Sequence, residues 1–365
     1  MVRTGLFFAA LKTKGNPIEA LGTIRKMRAT RLRFAGTATL PRPFYSNGRL
    51  FLNPNIPGWP SAAFRRFARD EIASINGNNS GFHLHTLIMS ITRRCPLRCL
   101  HCFEWDRLSG QDNLTLDDLK TIVRKYREAG ICQIQLGGGE PLERMSDLVE
   151  LISTFRSDIE FWLLTSGYDL TPEKANILRK AGLTGVKISL DHFNPLKHDE
   201  FRGNKNSFNF AVEAVENCRK SGLATGLAIC ITGEMAEEEN LHQYLRLAKS
   251  LKIDFIFLLE PRETGHFRGK EVELKPWQVE TVDRFYLEVS SDTKNSYPLV
   301  IYPGHHQRVV GCSGAGNRYL YIDSSGAVHA CPFCQDPAGN AVTDDPSSIT
   351  MKLRTRGCHA FASQA

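Results

Sequence analysis

Cys95, Cys99 and Cys102 stand in a C-x3-C-x2-C arrangement directly after an apolar run at 84–92. Three thiolates on one loop can hold three corners of a 4Fe-4S cube, because soft sulfur ligands suit iron-sulfur clusters. The fourth iron is then open and can bind and activate a small molecule, whereas a purely structural or electron-transfer cluster is normally closed by a fourth cysteine. A zinc loop or a partial ferredoxin motif shares this spacing. Four more cysteines lie near the other end: Cys312-x13-Gly326-x4-Cys331-x2-Cys334, followed by Cys358. They suffice to close a second cluster or a four-cysteine zinc site, and spacing alone does not choose between these. Cys132, Cys218 and Cys230 are isolated in strand or helix patterns and read as core residues.

Between the two groups lie polar residues at the ends of apolar runs. Gly137-Gly138-Gly139-Glu140-Pro141 follows one such run. Its glycines allow close backbone approach to a ligand, and it lacks the Lys-Ser/Thr ending of a phosphate loop. Ser166 and then Ser189 and Asp191 follow two further runs; their hydroxyls and carboxylate can bond a ribose diol or an ammonium, or simply form turns. Glu260, Arg262, His305 and His306 are candidate acid-base groups by position only, with a structural role the plainer reading for each.

Apolar runs at 84–92, 131–136, 161–165, 186–190, 227–232 and 253–259 alternate with amphipathic helical stretches. Thr115 caps one helix and Gly130 stops it; Thr171-Pro172 opens another that ends at Gly182; Ser207 opens a third. This alternation predicts an α/β fold with a parallel sheet covered by helices, and six units suit a partial barrel. In such folds ligands sit at the carboxyl ends of the strands, where the motifs fall. Beyond residue 270 the alternation is expected to end. A β-hairpin turning at Ser324-Ser325-Gly326 then brings Cys312 back toward Cys331 and Cys334. The expected division is residues 1–80, an extension; 81–270, the core; and 271–365, a cysteine-rich auxiliary region.

At 365 residues, 42% hydrophobic and 23% charged, the chain can bury a sizeable core. Its net charge of +7 is uneven: the first 70 residues carry thirteen Lys and Arg against two acids. Asn16-Pro17 starts a basic helix in which Ile18, Leu21, Ile24 and Met27 recur. Such a helix can lie on an anionic membrane surface, although packing on the body with a solvated basic face is the preferred reading. The proline-rich stretch 51–60 is expected to wrap the body. The basic segment lacks the aromatics of a nucleic-acid module, so no nucleic-acid partner is expected. The apolar run at 6–11 is too short for a signal-peptide core, and a cytoplasmic protein is expected.

Ile91-Thr92-Arg93-Arg94 leading into the three cysteines resembles the signature of the radical S-adenosylmethionine (SAM) superfamily, with His101 where an aromatic usually precedes the third cysteine. The resemblance implies a (β/α)6 partial barrel and a 4Fe-4S cluster on Cys95, Cys99 and Cys102, with SAM chelated at the open iron. It further implies reductive cleavage to a 5′-deoxyadenosyl radical that takes hydrogen from a substrate. Gly138, Gly139 and Glu140 resemble the GGEP motif that receives the methionyl ammonium, and Ser166, Ser189 and Asp191 match other SAM-contacting positions. Cys312, Cys331, Cys334 and Cys358, with Gly339-Asn340-Ala341, resemble the SPASM or twitch extension, which implies one auxiliary 4Fe-4S cluster. An electron donor such as flavodoxin or ferredoxin, and a peptide, small-molecule or lipid substrate, follow from the same resemblance. A non-catalytic iron-sulfur or zinc protein acting as redox sensor or scaffold is the competing reading.

Overall fold

The computed structural model describes residues 10–11, 15–35, 42–76, 83–108, 110–292 and 297–358. Most of the apolar run at 6–11, with Arg3, Lys12 and Lys14, lies outside the described residues. The first helix, α1 (Pro17–Ala35), packs Ala20, Ile24 and Met27 against Ile72 of α2 (Ala62–Asn76). Ile18 and Leu21, expected on the same stripe, are 79% and 49% exposed. The contacting stripe begins at Ala20 instead, a helical face rotated from the predicted one. Between the two helices, β1 (Phe44–Ser46) and β2 (Arg49–Phe51) form a short antiparallel hairpin.

The strand-helix alternation then unrolls in chain order: β3 (Thr86–Ser90), α3 (Leu116–Glu128), β4 (Gln133–Gly137), α4 (Met145–Phe155), β5 (Glu160–Thr165), α5 (Pro172–Ala181) and β6 (Gly185–Ser189). It continues through α6 (Pro195–Arg202), α7 (Ser207–Lys220), β7 (Ala224–Cys230), α8 (Glu238–Ser250) and β8 (Phe255–Leu259). The expected caps are present: Thr115 and Asp118 form a capping box on α3, and Thr171 caps α5, which Gly182 ends in the left-handed region at φ +114°. Ser207 does not cap α7; Asn206 holds that position, and the Ser207 hydroxyl donates to Asp199 instead.

The alternation runs further than the sequence indicated. After α9 (Pro276–Ser291), β9 (Leu299–Ile301) adds one more parallel strand beside β8. At three residues, between Pro298 and Pro303, it is too short to read as a strand run. Then come α10 (Pro303–Val310) and the expected hairpin, β10 (Tyr319–Ile322) and β11 (Ala327–His329), followed by β12 (Gly339–Asn340) and α11 (Pro346–Arg356). The hairpin is continuous with the core: β10 pairs in parallel with β3, so one ten-stranded sheet runs β12-β11-β10-β3-β4-β5-β6-β7-β8-β9. The chain after residue 270 thereby supplies both edges of the sheet.

Strand parity divides this sheet into two faces. Leu87, Ile134, Phe161, Val186, Leu227 and Ile256 belong to the large core beneath the helices. The alternate residues turn inward, where Trp162, Ala224, Phe255 and Ile301 meet Phe44 and Phe51 of the β1–β2 hairpin. Trp162 on β5 and Phe255 on β8 stand three strands apart, which in a flat sheet is about 14 Å. Their ring centroids are only 5.7 Å apart. The sheet therefore curls into a partial barrel, and the hairpin plugs its amino end. Toward the carboxyl end the inward positions Ile88, Leu164, Ser189, Ala228, Phe257 and Leu259 are partly exposed.

Candidate active site

The triad loop leaves β3 and is held on two sides. On one, Gly139 N–H donates to Thr92 O (2.8 Å) and Glu140 N–H to Arg94 O (2.8 Å), which joins the glycine turn after β4 to the start of the loop. The fit requires glycine: a Cβ on Gly139 would lie 2.2 Å from Arg94 O, and Gly138 sits at φ +143°. On the other side, the end of α6 takes part, since Arg98 N–H donates to Arg202 O (3.1 Å) and Leu100 N–H to Phe201 O (2.9 Å). Beneath the loop's start, Asp112 accepts from the Thr92 hydroxyl and from Arg93 N–H, each at 2.8 Å.

The carboxylates expected to meet a ligand are turned into the protein. Glu140 accepts from Thr165 Oγ1 (2.7 Å), Ser166 N (2.9 Å), Ser166 Oγ (2.5 Å) and Leu142 N (3.3 Å), so its oxygens are saturated. It ties the glycine turn to the end of β5. Asp191 accepts from Cys230 N–H at Oδ1 (2.9 Å), and its Oδ2 accepts from both Nη2 and Nε of Arg202 at 2.5 and 2.6 Å. Burial pulls the Asp191 pKa up, but the charge of Arg202, joined by His101, His198 and the Cys230 N–H, outweighs it and holds the carboxyl below its usual range. Arg202 also points Nη1 at the Cys99 sulfur, 3.6 Å away. Ser166 and Ser189 remain partly exposed at the carboxyl ends of β5 and β6.

The triad suits an iron-sulfur cluster in its donor chemistry. Three sulfurs come from one short loop, and burial pushes the Cys95 and Cys102 thiols up to about 12, so thiolates there need a compensating cation. At the second group, Cys331 Sγ lies 3.4 Å from Cys334 Sγ, and the Cys358 thiol is hydrogen-bonded to both Cys312 and Cys334. Residues far apart in sequence are thus brought together as one four-sulfur set. Among the described residues no three His, Cys, Asp or Glu side chains frame a single-ion centre; the four thiols contact one another instead.

A loop that sequence reasoning passed over joins the two groups. After β8, His266 N–H donates to Cys102 O (2.9 Å), and the His266 ring stacks on Trp105 at 3.8 Å. Nearby, the Thr264 hydroxyl donates to Phe333 O (3.3 Å), between Cys331 and Cys334. Phe103 and Phe333, each next to a cysteine, meet edge to face at 6.2 Å. No local pattern marks these residues, because the contacts depend on the sheet bringing β8 and β10 to either side of the triad loop.

The candidate acid-base groups engage the elements around them. Glu260 accepts from the Tyr302 hydroxyl (2.5 Å) and pairs with Arg308 (2.6 Å) and Arg262 (3.0 Å). His305 meets Asp283 at 2.9 Å, and His305 and His306 both pack against Tyr286 of α9. These residues brace α9, α10 and the end of β8.

Comparison with known proteins bears on the same segments. The profile described as the radical SAM superfamily matches residues 89–245, from the end of β3 into α8. A GTP 3′,8-cyclase from Alkaliphilus oremlandii is 31% identical over 232 residues, covering 60% of this chain and 70% of that protein. The mycofactocin maturase MftC of Mycolicibacterium smegmatis is 28% identical over 275 residues, covering 71% and 67%. Among solved structures, anSMEcpe with bound AdoMet superposes with a TM-score of 0.60 at 18% identity, over 76% of this chain and 84% of that one. Streptococcus suis SuiB bound to its precursor peptide SuiA gives 0.57 at 16% identity, over 94% and 79%. The structural likenesses show the fold, a partial barrel of this kind. The profile lies over the triad loop and its two clamps, and the cyclase is related along most of its length; this chain belongs to the radical SAM superfamily.

Proposed function

We propose that the protein is a radical SAM enzyme with a 4Fe-4S cluster on Cys95, Cys99 and Cys102, a second, fully ligated cluster on Cys312, Cys331, Cys334 and Cys358, and a peptide substrate. The observation that carries this reading is the clamping of the triad loop between the glycine turn and α6, at the open end of the barrel and one loop away from the four-sulfur set. The bound and reduced cluster would supply one-electron cleavage of SAM to methionine and a 5′-deoxyadenosyl radical, which takes hydrogen from the substrate. The protein's own part is to hold and shield. Arg202 offsets charge at Cys99, Glu140 and Gly139 fix the turn against the loop, and the partly exposed Ser189 offers its hydroxyl to SAM, while Ser166, whose O–H serves Glu140, offers only its oxygen. His266, Trp105, Phe103 and Phe333 fill the space between the two cysteine groups. A flavodoxin or ferredoxin is the proposed electron donor. Peptide chemistry is favoured over small-molecule or lipid chemistry because MftC is named a maturase and SuiB was solved with its precursor peptide.

Anaerobic reconstitution with iron and sulfide tests this. The proposal expects about eight irons per chain, as two cubes, and 5′-deoxyadenosine after dithionite and SAM are added. About four irons with tightly held zinc would assign zinc to the second site. Intact SAM in the cluster-loaded protein would instead favour a redox sensor or scaffold. As for a membrane surface, no helix among the described residues is long and apolar enough to cross a bilayer. The packing of α1 on α2 favours a role within the body of the protein.

A further inference from the structure

Inside the curl of the sheet lies the Lys187 ammonium, which has no carboxylate partner among the described residues. Lys187 occupies an inward position of β6, two residues before Ser189, and is 4% exposed. Its Nζ donates to Asn55 Oδ1 (2.8 Å) and Gln135 Oε1 (3.0 Å), and sits 4.4 Å from the centroid of the Phe257 ring. These partners are neutral. The nearest carboxylate in the same polar chain, Glu160, is occupied by Trp162 Nε1 (2.9 Å), Gln133 Nε2 (3.2 Å), Gly58 N–H (2.8 Å) and Arg49 (3.6 Å). An ammonium has three N–H donors; two have amide acceptors and the third side meets only the Phe257 ring, so the charge is eased by neutral groups and balanced by no anion. Burying such a charge unpaired is costly, and protein interiors normally pair it.

The surroundings locate where the missing anion would enter. Phe257, Leu164, Ser189 and Ala228, the inward neighbours of Lys187, are partly exposed toward the open carboxyl end. The other end is shut by Phe44, Phe51 and Trp162. Asn55 reaches Lys187 from the N-terminal segment, which bears no motif of the barrel core. Gln135 Nε2 also donates to Asn55 Oδ1 (3.1 Å), so the two acceptors of Lys187 are themselves tied together.

We propose that Lys187 anchors an oxyanion of the substrate, a carboxylate or phosphate that reaches the inner face of the barrel, with Asn55 and Gln135 as positioning residues. This rests on the barrel being the reaction chamber of the proposed enzyme. Burial without an anion lowers the Lys187 pKa to about 7, so an arriving oxyanion restores the full charge.

The test uses cluster-loaded protein, with calorimetric titration at fixed pH and ionic strength. The probes are inorganic phosphate, glutarate and the blocked peptide Gly-Glu-Gly, with Gly-Gln-Gly as the neutral control. Wild type should bind at least one oxyanion probe, and Lys187→Met should weaken that binding at least tenfold while Lys187→Arg retains most of it. Preference for Gly-Glu-Gly would mark a peptide carboxylate, and preference for glutarate or phosphate a small acid. No oxyanion binding by wild type, or equal binding by Lys187→Met, overturns the proposal. Should the Met variant not fold, selenate soaked into wild-type crystals decides by anomalous scattering. An anion within hydrogen-bond reach of Nζ supports the assignment, and sites confined to surface arginines refute it. Iron content and 5′-deoxyadenosine yield of the same wild-type sample report separately on the radical SAM reading.

Discussion

Arg202 bridges Asp191 and Cys99: its guanidinium grips the carboxylate at 2.5 Å and reaches the cysteine sulfur at 3.6 Å. The pair is buried, so removing one partner strands the other's charge. Arg202→Met should cost about 3–5 kcal/mol in urea unfolding. Asp191→Asn should also destabilise the fold, and should lower the iron retained by the triad after desalting. Arg202→Met should lower the retained iron as well, and retention equal to wild type in that variant would remove Arg202 from the site.

Glu140 serves four donors at once. Glu140→Ala leaves those donors without an acceptor and should destabilise by about 2–4 kcal/mol. Glu140→Gln keeps one acceptor oxygen but turns an amide N–H toward donors, of which only the Thr165 and Ser166 hydroxyls can rotate to accept, and its stability should fall between wild type and Glu140→Ala. Denaturant midpoints at constant m-value would check the order.

The contact between Gly139 and Arg94 O leaves no room for a methyl group. Gly139→Ala should push the glycine turn off the triad loop and reduce iron incorporation at the triad. The four-cysteine set should keep its own metal. Metal analysis of the variant beside a Cys331→Ala/Cys334→Ala double variant would separate the two losses.

Asp254 accepts Thr225 N–H at 2.8 Å in a site whose burial raises its pKa from 3.8 to about 6. The folded protein therefore binds this proton more tightly than the unfolded chain. The resulting stability is complete below about pH 4 and is lost as pH rises through about 6. Asp254→Asn keeps an acceptor without the charge. It should stabilise the protein by about 1–3 kcal/mol at pH 8, with the gain vanishing near pH 4 in parallel unfolding curves.

Phe51 is 1% exposed and packs against Phe44 at 5.0 Å and Trp162 at 5.7 Å. Phe51→Ala should cost about 3–5 kcal/mol, as much as a core residue of the barrel itself. A cost under 1 kcal/mol would show that the hairpin is not part of the cooperative unit.

The amino-acid sequence by itself determined the parts whose information is local. The C-x3-C-x2-C loop, the glycine turn, the caps at Thr115 and Thr171 and the six principal strands all follow from ligand spacing, backbone freedom or periodicity within a few residues. The four-cysteine set was legible as a set, although its spacing left the metal open. Tertiary structure decided everything that joins distant segments. Glu140 and Asp191 are expected from their motifs to meet a ligand, yet their carboxylates face the protein, because the end of β5 and Arg202 reach them first. Lys187 looks like an oddity in an apolar run; it faces inward only because the sheet curls, and it meets Asn55 across 132 residues. The three-residue β9 and the pairing of β10 with β3 have the same origin. Edge strands this short form because an existing sheet offers them hydrogen-bond partners, and no local pattern of residues announces that.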